Sequence, residues 1–165
     1  MKKSSRLKII SGGQTGVDRG ALDAALDLGI TCGGWCPEGR LAEDGVISRR
    51  YPVRELPGAD YRQRTLANVL AADGTLLIYF AYPEGGTQET LRFCLEWQKP
   101  CLLIDAAELD VARATQRITE FLDAFFIMTL NVAGPRASSE ARAYDYARSC
   151  LSSCLKSVLN RQENH

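Results

Sequence analysis

Short apolar runs alternate with longer stretches of helical periodicity along almost the whole chain, and this alternation limits the fold more than any other feature. Residues 75–80, TLLIYF, form the most continuous apolar run. Such a run is typical of a central parallel strand that is covered on both faces. Strands that alternate with helices in this way predict a mostly parallel sheet with helices packed on both sides.

The pattern predicts a single doubly wound, Rossmann-like α/β domain that spans residues 1–165, with a sheet of five strands or more. Residues 1–6 are expected to form a flexible tail. Residues 36–58 show no convincing period and are expected to form a functional or partner-binding segment. The predicted strands cover residues 7–11, 30–35, 75–80, 100–104 and 127–132, and the predicted helices cover residues 17–28, 60–72, 87–98, 112–126 and 138–159.

Charge and histidine content exclude several classes of function. The 165 residues include 20 Lys and Arg against 20 Asp and Glu, so the formal net charge is zero. A general nucleic-acid binder needs a basic surface to hold phosphates, and this composition does not predict one. The sole histidine is His165. We therefore expect no Ser-His-Asp triad, no Cys-His pair and no multi-histidine zinc site.

Apolar run length and cysteine spacing predict where the protein resides. No segment approaches the roughly 18 apolar residues of a membrane span, and the first apolar run is too short for a signal peptide. We expect a soluble, cytoplasmic protein whose six cysteines are reduced. The spacing of Cys32 and Cys36 differs from that of common zinc motifs, so no metal site is expected. A functional role for Cys36 stays open.

A glycine-rich segment, SGGQTGVDR, joins the first predicted strand to the first predicted helix. A loop in this position can present backbone N–H groups and a helix N-terminus to an anion. Its glycine spacing is not that of the dinucleotide fingerprint, and it lacks the Lys-Ser/Thr of a Walker A loop. Anion binding by the loop from Gly12 to Gly16 and a tight turn that serves only the fold both remain open.

A second glycine-rich loop, PEGGTQE, follows the most apolar strand, and Thr87 is predicted to cap the next helix. In an open parallel sheet, ligands bind outside the carboxyl ends of the strands, where the strand order reverses. Two such loops would face each other across one crevice there. The pair favours a phosphate-bearing ligand.

Between these loops lies a polar cluster that includes Gly34, Trp35 and Arg40. The flat face of a tryptophan suits stacking on a heteroaromatic ring, and a guanidinium suits bidentate contact with an anion. The alternative is a solvated loop with ordinary turn chemistry.

Arg64 and Asn68 lie one turn apart on a predicted helix and are candidates for a polar wall of the crevice. The alternative is a helix face in solvent, to which we assign Arg62.

These segments resemble the molybdenum cofactor carrier family. The resemblance covers four blocks, in order, over about residues 7–105. The blocks are ISGGQTGVDRGALD at 10–23, GWCP at 34–37 with the following GR and EDG, RT and NV with DGTL at 64–76, and GGT at 85–87. That family is similar to a wider Rossmann-like group that includes the lysine-decarboxylase-like phosphoribohydrolases.

The resemblance implies that the protein binds, protects and carries the molybdenum cofactor, a molybdopterin-type ligand with a phosphate, without catalysis. It implies a small phosphate-bearing ligand and, as partners, molybdoenzymes or proteins of cofactor synthesis, but no nucleic acid and no membrane. A homo-oligomer is expected, with the apolar stripe of the last helix as a candidate interface. The candidate cofactor-binding residues are Gly12, Gly13, Gln14, Thr15, Gly16, Asp18, Gly34, Trp35, Arg40, Arg64, Asn68, Gly85, Gly86 and Thr87.

The sequence departs from the phosphoribohydrolases at one decisive position. Those enzymes carry a Pro-Gly-Gly-x-Gly-Thr-x-x-Glu loop and an arginine on the preceding helix, which Arg64 matches. Here the loop is one residue shorter, so Thr90 takes the place of the catalytic glutamate, and Glu89 lies about 100° away around the helix. We therefore assign no catalytic residue. A nucleoside-monophosphate phosphoribohydrolase using Arg64 and Glu89, and a nucleotide- or ADP-ribose-sensing module, remain as alternatives.

Overall fold

The computed structural model describes residues 6–164, so His165 and all of the predicted tail at residues 1–6 except Arg6 lie outside the described residues. The described part contains nine strands and five helices. The strands are β1 (Lys8–Ile10), β2 (Cys32–Gly33), β3 (Trp35–Cys36), β4 (Leu41–Ala42), β5 (Gly45–Val46), β6 (Arg54–Glu55), β7 (Gly74–Tyr79), β8 (Cys101–Asp105) and β9 (Thr129–Ala133). The helices are α1 (Val17–Asp27), α2 (Tyr61–Ala71), α3 (Gly85–Glu96), α4 (Val111–Ala124) and α5 (Ala143–Glu163).

Five parallel strands form the central sheet in the order β2–β1–β9–β7–β8, which confirms the predicted α/β architecture. The last strand, β9, lies between β1 and β7 and pairs with both. The apolar residues of β7 are fully buried at Leu76, Leu77 and Ile78, as expected of a strand covered on both faces. The strand that follows β1 in the chain, β2, lies at one edge of the sheet, and the strand that follows β7, β8, lies at the other. A ligand crevice is expected at the carboxyl ends of the strands where the order reverses in this way.

The helices cover both faces of the sheet. The main core lies between the strands and α1, α4 and α5, and a smaller cluster of Val69, Phe93 and Cys94 lies under α2 and α3. Helices α1 and α5 approach each other closely at Gly20, where a Cβ would lie 2.7 Å from the carbonyl oxygen of Tyr144. No helix within residues 6–164 is long and apolar enough to cross a bilayer.

The predicted strand at residues 30–35 is wrong at its C-terminal end, because the chain leaves the main sheet at Gly34. Gly34 has a φ of 125°, and a Cβ there would lie 2.1 Å from the carbonyl oxygen of Ser11. Only glycine allows this close approach to the neighbouring strand. Strand β2 therefore ends at Gly33, and β3 pairs with β6 in a separate two-stranded sheet.

The predicted starts of two helices are also wrong. Helix α3 begins at Gly85 with Glu84 as its N-cap residue, so Thr87 lies inside the helix and does not cap it. Helix α5 begins at Ala143, five residues after the predicted start. The residues before it form a separate turn, in which the N–H groups of Ser139 and Glu140 both donate to the Arg136 carbonyl oxygen. The N–H groups of Ala137 and Ser138 bind side chains from other loops.

Candidate functional site

Three loops converge at the carboxyl edge of the sheet, after β1, β7 and β9, and enclose a cavity of about 650 Å³. Two of these loops are the glycine-rich segments that the sequence places at one crevice, and the structure brings them together. The predicted site residues that line this cavity, here called the chamber, are Gln14, Asp18, Arg64, Gly85, Gly86 and Thr87. Those that lie outside it are Gly12, Gly13, Thr15, Gly16, Gly34, Trp35, Arg40 and Asn68.

The loop after β1 uses its backbone amides internally. The N–H of Gln14 donates to Asp18 Oδ2 at 3.1 Å, that of Thr15 to Gln14 Oε1 at 3.0 Å, and that of Gly13 to Ser11 Oγ at 3.4 Å. The expectation that amides from Gly12 to Gly16 cradle a phosphate is therefore wrong for these three groups. The anion at the centre of this loop is the carboxylate of Asp18.

Arg64 completes this arrangement from the opposite side. Helix α2 starts with a capping box, in which Asp60 and Gln63 each accept the other's backbone N–H at 2.9 Å, and this fixes Arg64 at the end of the first turn. Its guanidinium lies over Gly12, where a Cβ would be 1.5 Å from Arg64 Nη1. Arg64 Nη1 is 3.6 Å from Asp18 Oδ2.

Asp18 and Arg64 form a buried pair on the chamber wall, with side chains only 6% and 14% exposed. Burial raises the pKa of the Asp18 carboxyl, while the Arg64 guanidinium and the amides of Gln14 and Gly12 act in the opposite direction. Arg64 thus carries its positive charge into the chamber next to a carboxylate that is shielded from solvent.

Two buried hydrogen-bond donors at the chamber lack partners among residues 6–164: Gln14 Nε2 and Arg64 Nε. The amide of Gln14 is held in one orientation, because its Oε1 accepts the N–H groups of Thr15 and Glu43, both at 3.0 Å. Its NH₂ group is therefore fixed on the other side. An unsatisfied buried donor costs about 1–3 kcal/mol, so a bound acceptor would relieve it.

The loop after β7 presents the N-terminus of α3 to the chamber. The side chain of Glu84 makes no capping bond, and the first amides of a helix, here those of Gly85 and Gly86, have no intrahelical acceptor. A Cβ at either glycine would meet nothing within 4 Å, so open space surrounds this backbone. This helix terminus, rather than the loop after β1, fits the predicted anion cradle.

The third wall of the chamber is the loop after β9, which the sequence reasoning missed. It contributes Gly134, Pro135, Arg136, Ser138, Ser139 and Glu140. The signal was present as GPRASS directly after a predicted strand, but those serines were assigned to the start of the last helix. Gly16 packs against this loop, since a Cβ there would lie 2.3 Å from the carbonyl oxygen of Pro135.

The side chain of Arg40, which was predicted to contact an anion in the crevice, lies outside the chamber. Its side chain is buried and donates to four backbone carbonyl oxygens, those of Ile47, Val53, Ser48 and Tyr51, at 2.6–3.1 Å. All three guanidinium nitrogens thus donate hydrogen bonds to the segment that follows Arg40 in the chain. Arg40 therefore organises residues 36–58, which pack on α1 around Leu22 and Ile47 rather than forming a free loop.

Asn68 and Trp35 also have a different role from the predicted one. The side-chain amide of Asn68 accepts the N–H of Trp35 at 2.8 Å and donates to its carbonyl oxygen at 2.9 Å. Asn68 is thus fully engaged in holding β3 against α2. Trp35 is half-buried and lies outside the chamber, so stacking on a ligand there is not supported.

Thr90 lines the chamber, at the position where the phosphoribohydrolases carry their glutamate. Its hydroxyl donates to the carbonyl oxygen of Gly86 at 2.8 Å. Glu89 instead faces a separate groove and pairs with two arginines, Arg62 at 2.6 Å and Arg92 at 3.2 Å. The Glu89 carboxylate is therefore paired outside the chamber, away from the position that the glutamate takes in those enzymes.

Neither the cysteines nor the acidic residues form a metal site among residues 6–164, in which no group of three metal-ligating side chains is found. Cys36 is fully buried beside Ile47 and Tyr51, and burial raises the pKa of its thiol. It is therefore a protonated core side chain rather than a thiolate ligand.

A family model described as the circularly permutated YpsA SLOG family matches residues 9–155. The chain belongs to this family. The matched residues of this YpsA SLOG protein include all three loops that form the chamber.

A solved structure supports the same assignment. The crystal structure of a protein from Syntrophus aciditrophicus SB, described as a "putative molybdenum carrier protein", is similar to this YpsA SLOG protein with a TM-score of 0.89 and 42% sequence identity. The similarity covers 93% of this chain and 97% of the other. No curated protein matches the chain. The predicted resemblance to the molybdenum cofactor carriers is thereby confirmed.

Proposed function

We propose that the chamber binds a molybdopterin-type, phosphate-bearing cofactor and that the protein carries and protects this ligand in the cytoplasm without catalysis. The observation that carries the proposal is the pair of buried donors without partners, Gln14 Nε2 and Arg64 Nε, which belong to two residues that line a cavity of about 650 Å³. A cavity of this size suits a small organic ligand. The donors call for acceptor atoms such as ring carbonyl, ring nitrogen or phosphate oxygens.

The remaining walls suit a heteroaromatic ligand. Tyr79, Phe80 and Tyr82 line the chamber, and aromatic faces stack favourably on flat rings. Tyr82 is 64% exposed, which leaves its ring accessible. Burial of an oxygen-sensitive ligand against these rings would slow its oxidation by dissolved oxygen, and a carrier protein would protect the ligand in this way.

Absence of catalysis is proposed from the side chains that would have to act. Thr90 cannot replace a glutamate as a general base, and Glu89 is held outside the chamber by two arginines. Asp18 is taken up by Arg64 and the amide of Gln14. Delivery to molybdoenzymes or to proteins of cofactor synthesis, and a homo-oligomeric state, belong to the same proposal.

Titration of the purified protein with molybdopterin under anaerobic conditions, followed by ligand fluorescence, tests the proposal. We expect saturable binding and slower oxidation of bound than of free molybdopterin. Gln14→Ala and Arg64→Gln should each weaken binding about tenfold, the equivalent of one charge-assisted or buried hydrogen bond. The proposal would be refuted if the wild-type protein neither bound molybdopterin nor slowed its oxidation.

The two alternative functions give different results with nucleotides. Release of free base from AMP, abolished by Glu89→Gln, would establish phosphoribohydrolase activity in place of the proposal. A thermal-shift panel of nucleotides and ADP-ribose tests the sensing module, since a ligand at a hundred times its Kd stabilises the fold by about 2.7 kcal/mol. We expect no base release and smaller shifts than with molybdopterin.

A further inference from the structure

A second cavity of about 400 Å³ opens beside the chamber and differs from it in charge. The two cavities share Arg64, Arg136 and the glycine backbone at 85–86. We call the second cavity the arginine groove and define it by Tyr61, Arg62, Arg64, Glu89, Arg92 and Arg136. It is built from α2, the start of α3 and the loop after β9, the three elements that also bound the chamber.

Charge is distributed unequally between the two cavities. The chamber holds three carboxylates, of Asp18, Glu84 and Glu140, against two guanidiniums. One of these carboxylates, on Glu140, is neutralised by Arg142 at 2.7 Å, so the chamber is close to neutral. The arginine groove holds four guanidiniums against the single carboxylate of Glu89. Positive charge in excess of its partners therefore lies in the groove and at its border with the chamber.

The four arginines of the groove fall into two pairs, one at Glu89 and one beside the Tyr61 ring. Side chains of Arg62 and Arg92 are 66% and 67% exposed, and both bind the carboxylate of Glu89. Guanidiniums of Arg64 and Arg136 each lie 5.9 Å from the centre of the Tyr61 ring. Within residues 6–164, Arg136 has no ion-pair partner, and Arg64 Nε has no hydrogen-bond partner.

We propose that the arginine groove is the phosphate subsite and that Glu89 is the internal counter-ion with which the ligand phosphate competes. The amides of Gly85 and Gly86 at the N-terminus of α3 would bind the same phosphate. The chamber, which is close to neutral, then receives the uncharged ring system, whose acceptor atoms fit the unpartnered amide N–H of Gln14. This division rests on the proposed function for the nature of the ligand, whereas the subsite itself can be tested without the ligand.

Several features favour a phosphate over other anions. Guanidiniums bind phosphate oxygens in a bidentate manner, and four of them at one site match a group with a double charge. The chain has no net charge, so a long nucleic acid would gain little outside the groove. The groove is also about the size needed for a phosphate and its hydration, rather than for a polymer.

Calorimetric titration with inorganic pyrophosphate tests the subsite directly. Arg62→Gln and Arg92→Gln are expected to weaken pyrophosphate binding about fivefold each, and Glu89→Gln is expected to strengthen it by a similar factor because the competing carboxylate is removed. These side chains lie at the surface, so the variants should fold normally. Arg117→Gln, an exposed arginine on α4, is the matched control and should bind as the wild type does.

The outcomes distinguish the subsite from the proposed function. Unchanged affinity in both Arg92→Gln and Glu89→Gln, or no binding of pyrophosphate by the wild type, would overturn the subsite even if molybdopterin binds. The expected pattern with pyrophosphate, combined with no binding of molybdopterin, would support the subsite and reject only the proposed identity of the ligand. Weakened binding in Glu89→Gln would also overturn the counter-ion role.

Discussion

At the scale of single residues, Gly12 shows how a glycine can serve a site that it does not touch. The missing side chain leaves the space in which the Arg64 guanidinium lies, and a Cβ would come within 1.5 Å of Arg64 Nη1. The atom that must give way is the end of a flexible side chain rather than backbone. A side chain at Gly12 is therefore expected to displace Arg64 without unfolding the protein.

Gly12→Ala is predicted to lower ligand affinity about tenfold, because one charge-assisted contact to the ligand is lost. Molybdopterin titration measures the effect, and urea denaturation checks that the fold is retained. A double-mutant cycle provides the control: in an Arg64→Gln background the alanine should have no further effect. Additive losses would show that Gly12 acts independently of Arg64.

The motifs indicated which residues lie near the crevice only in part, and they could not show a side chain's partner where that partner is distant in sequence. Arg64 and the glycines at 85–86 lie at the chamber, as the motifs indicated. Arg40 and Asn68 also belong to motif blocks, but each is occupied by backbone groups that the sequence alone does not place beside it. A conspicuous polar residue can therefore be essential to the loop rather than to the ligand.

At the scale of elements, Glu43 joins two of the loops that bound the chamber, those after β1 and β9. Its carboxylate accepts hydrogen bonds from the hydroxyls of Thr15 and Ser138 and from the Ser138 N–H at 3.1 Å, while its own N–H donates to Gln14. Hydrogen bonds from the Ser138 and then the Thr15 side chain hold the pKa of Glu43 below its usual value of 4.5. The ionised carboxylate thus ties the loop after β1 to the loop after β9.

Glu43→Gln is predicted to destabilise the protein at neutral pH, with an effect that shrinks in acid. A carboxyl whose pKa is lowered by folding contributes stability above its unfolded pKa and loses it as the pH falls through the folded value. The difference between the urea midpoints of wild type and variant should therefore be largest near pH 7 and narrow below pH 4.5. A difference that is constant across this range would contradict an electrostatic role.

Contact between α1 and α5 gives a second prediction at this scale. A Cβ at Gly20 would lie 2.7 Å from the Tyr144 carbonyl oxygen and 3.1 Å from Ala147 Cβ. Gly20→Ala gains about 1 kcal/mol of helix propensity but forces α5 outward, and overpacking costs about 1–3 kcal/mol. We expect a net loss of about 1 kcal/mol in urea denaturation. Ser153→Ala on the exposed side of α5 is the control, and a more stable Gly20→Ala would show that the helices separate easily.

The hydrophobic periodicity of the sequence predicted the main-sheet strands and the helices, because an element with a buried face must place apolar residues at regular intervals. All five main-sheet strands and all five helices were predicted within a few residues of their positions. Errors are concentrated where long-range hydrogen bonds replace local ones, at Gly34 and between residues 135 and 142. Short strands such as β3 and β6 carry no period of their own, since two residues cannot display one.

At the scale of the whole molecule, zero net charge conceals a local excess of positive charge in the arginine groove. Because the whole chain has no net charge, it does not attract an anion over long distances. Binding therefore depends on the charges that lie within about one Debye length of the groove, roughly 10 Å at 0.1 M salt. Affinity for pyrophosphate is therefore predicted to fall several-fold between about 0.05 and 0.5 M NaCl, while the thermal midpoint changes little. Calorimetry and thermal denaturation in the same buffers test this, and salt-independent affinity would contradict it.

The position of β9 determines when during synthesis the chamber can form. Lys8 in β1 pairs with Thr129, and Gly74 in β7 pairs with Leu130, so the strand at the centre of the sheet is the last of the described strands to be synthesised. Until then β1 and β7 present unpaired edges, which attract other chains, and pairing over so long a separation is slow. The chamber, which includes residues of the loop after β9, can therefore form only after residues 129–140 have been synthesised.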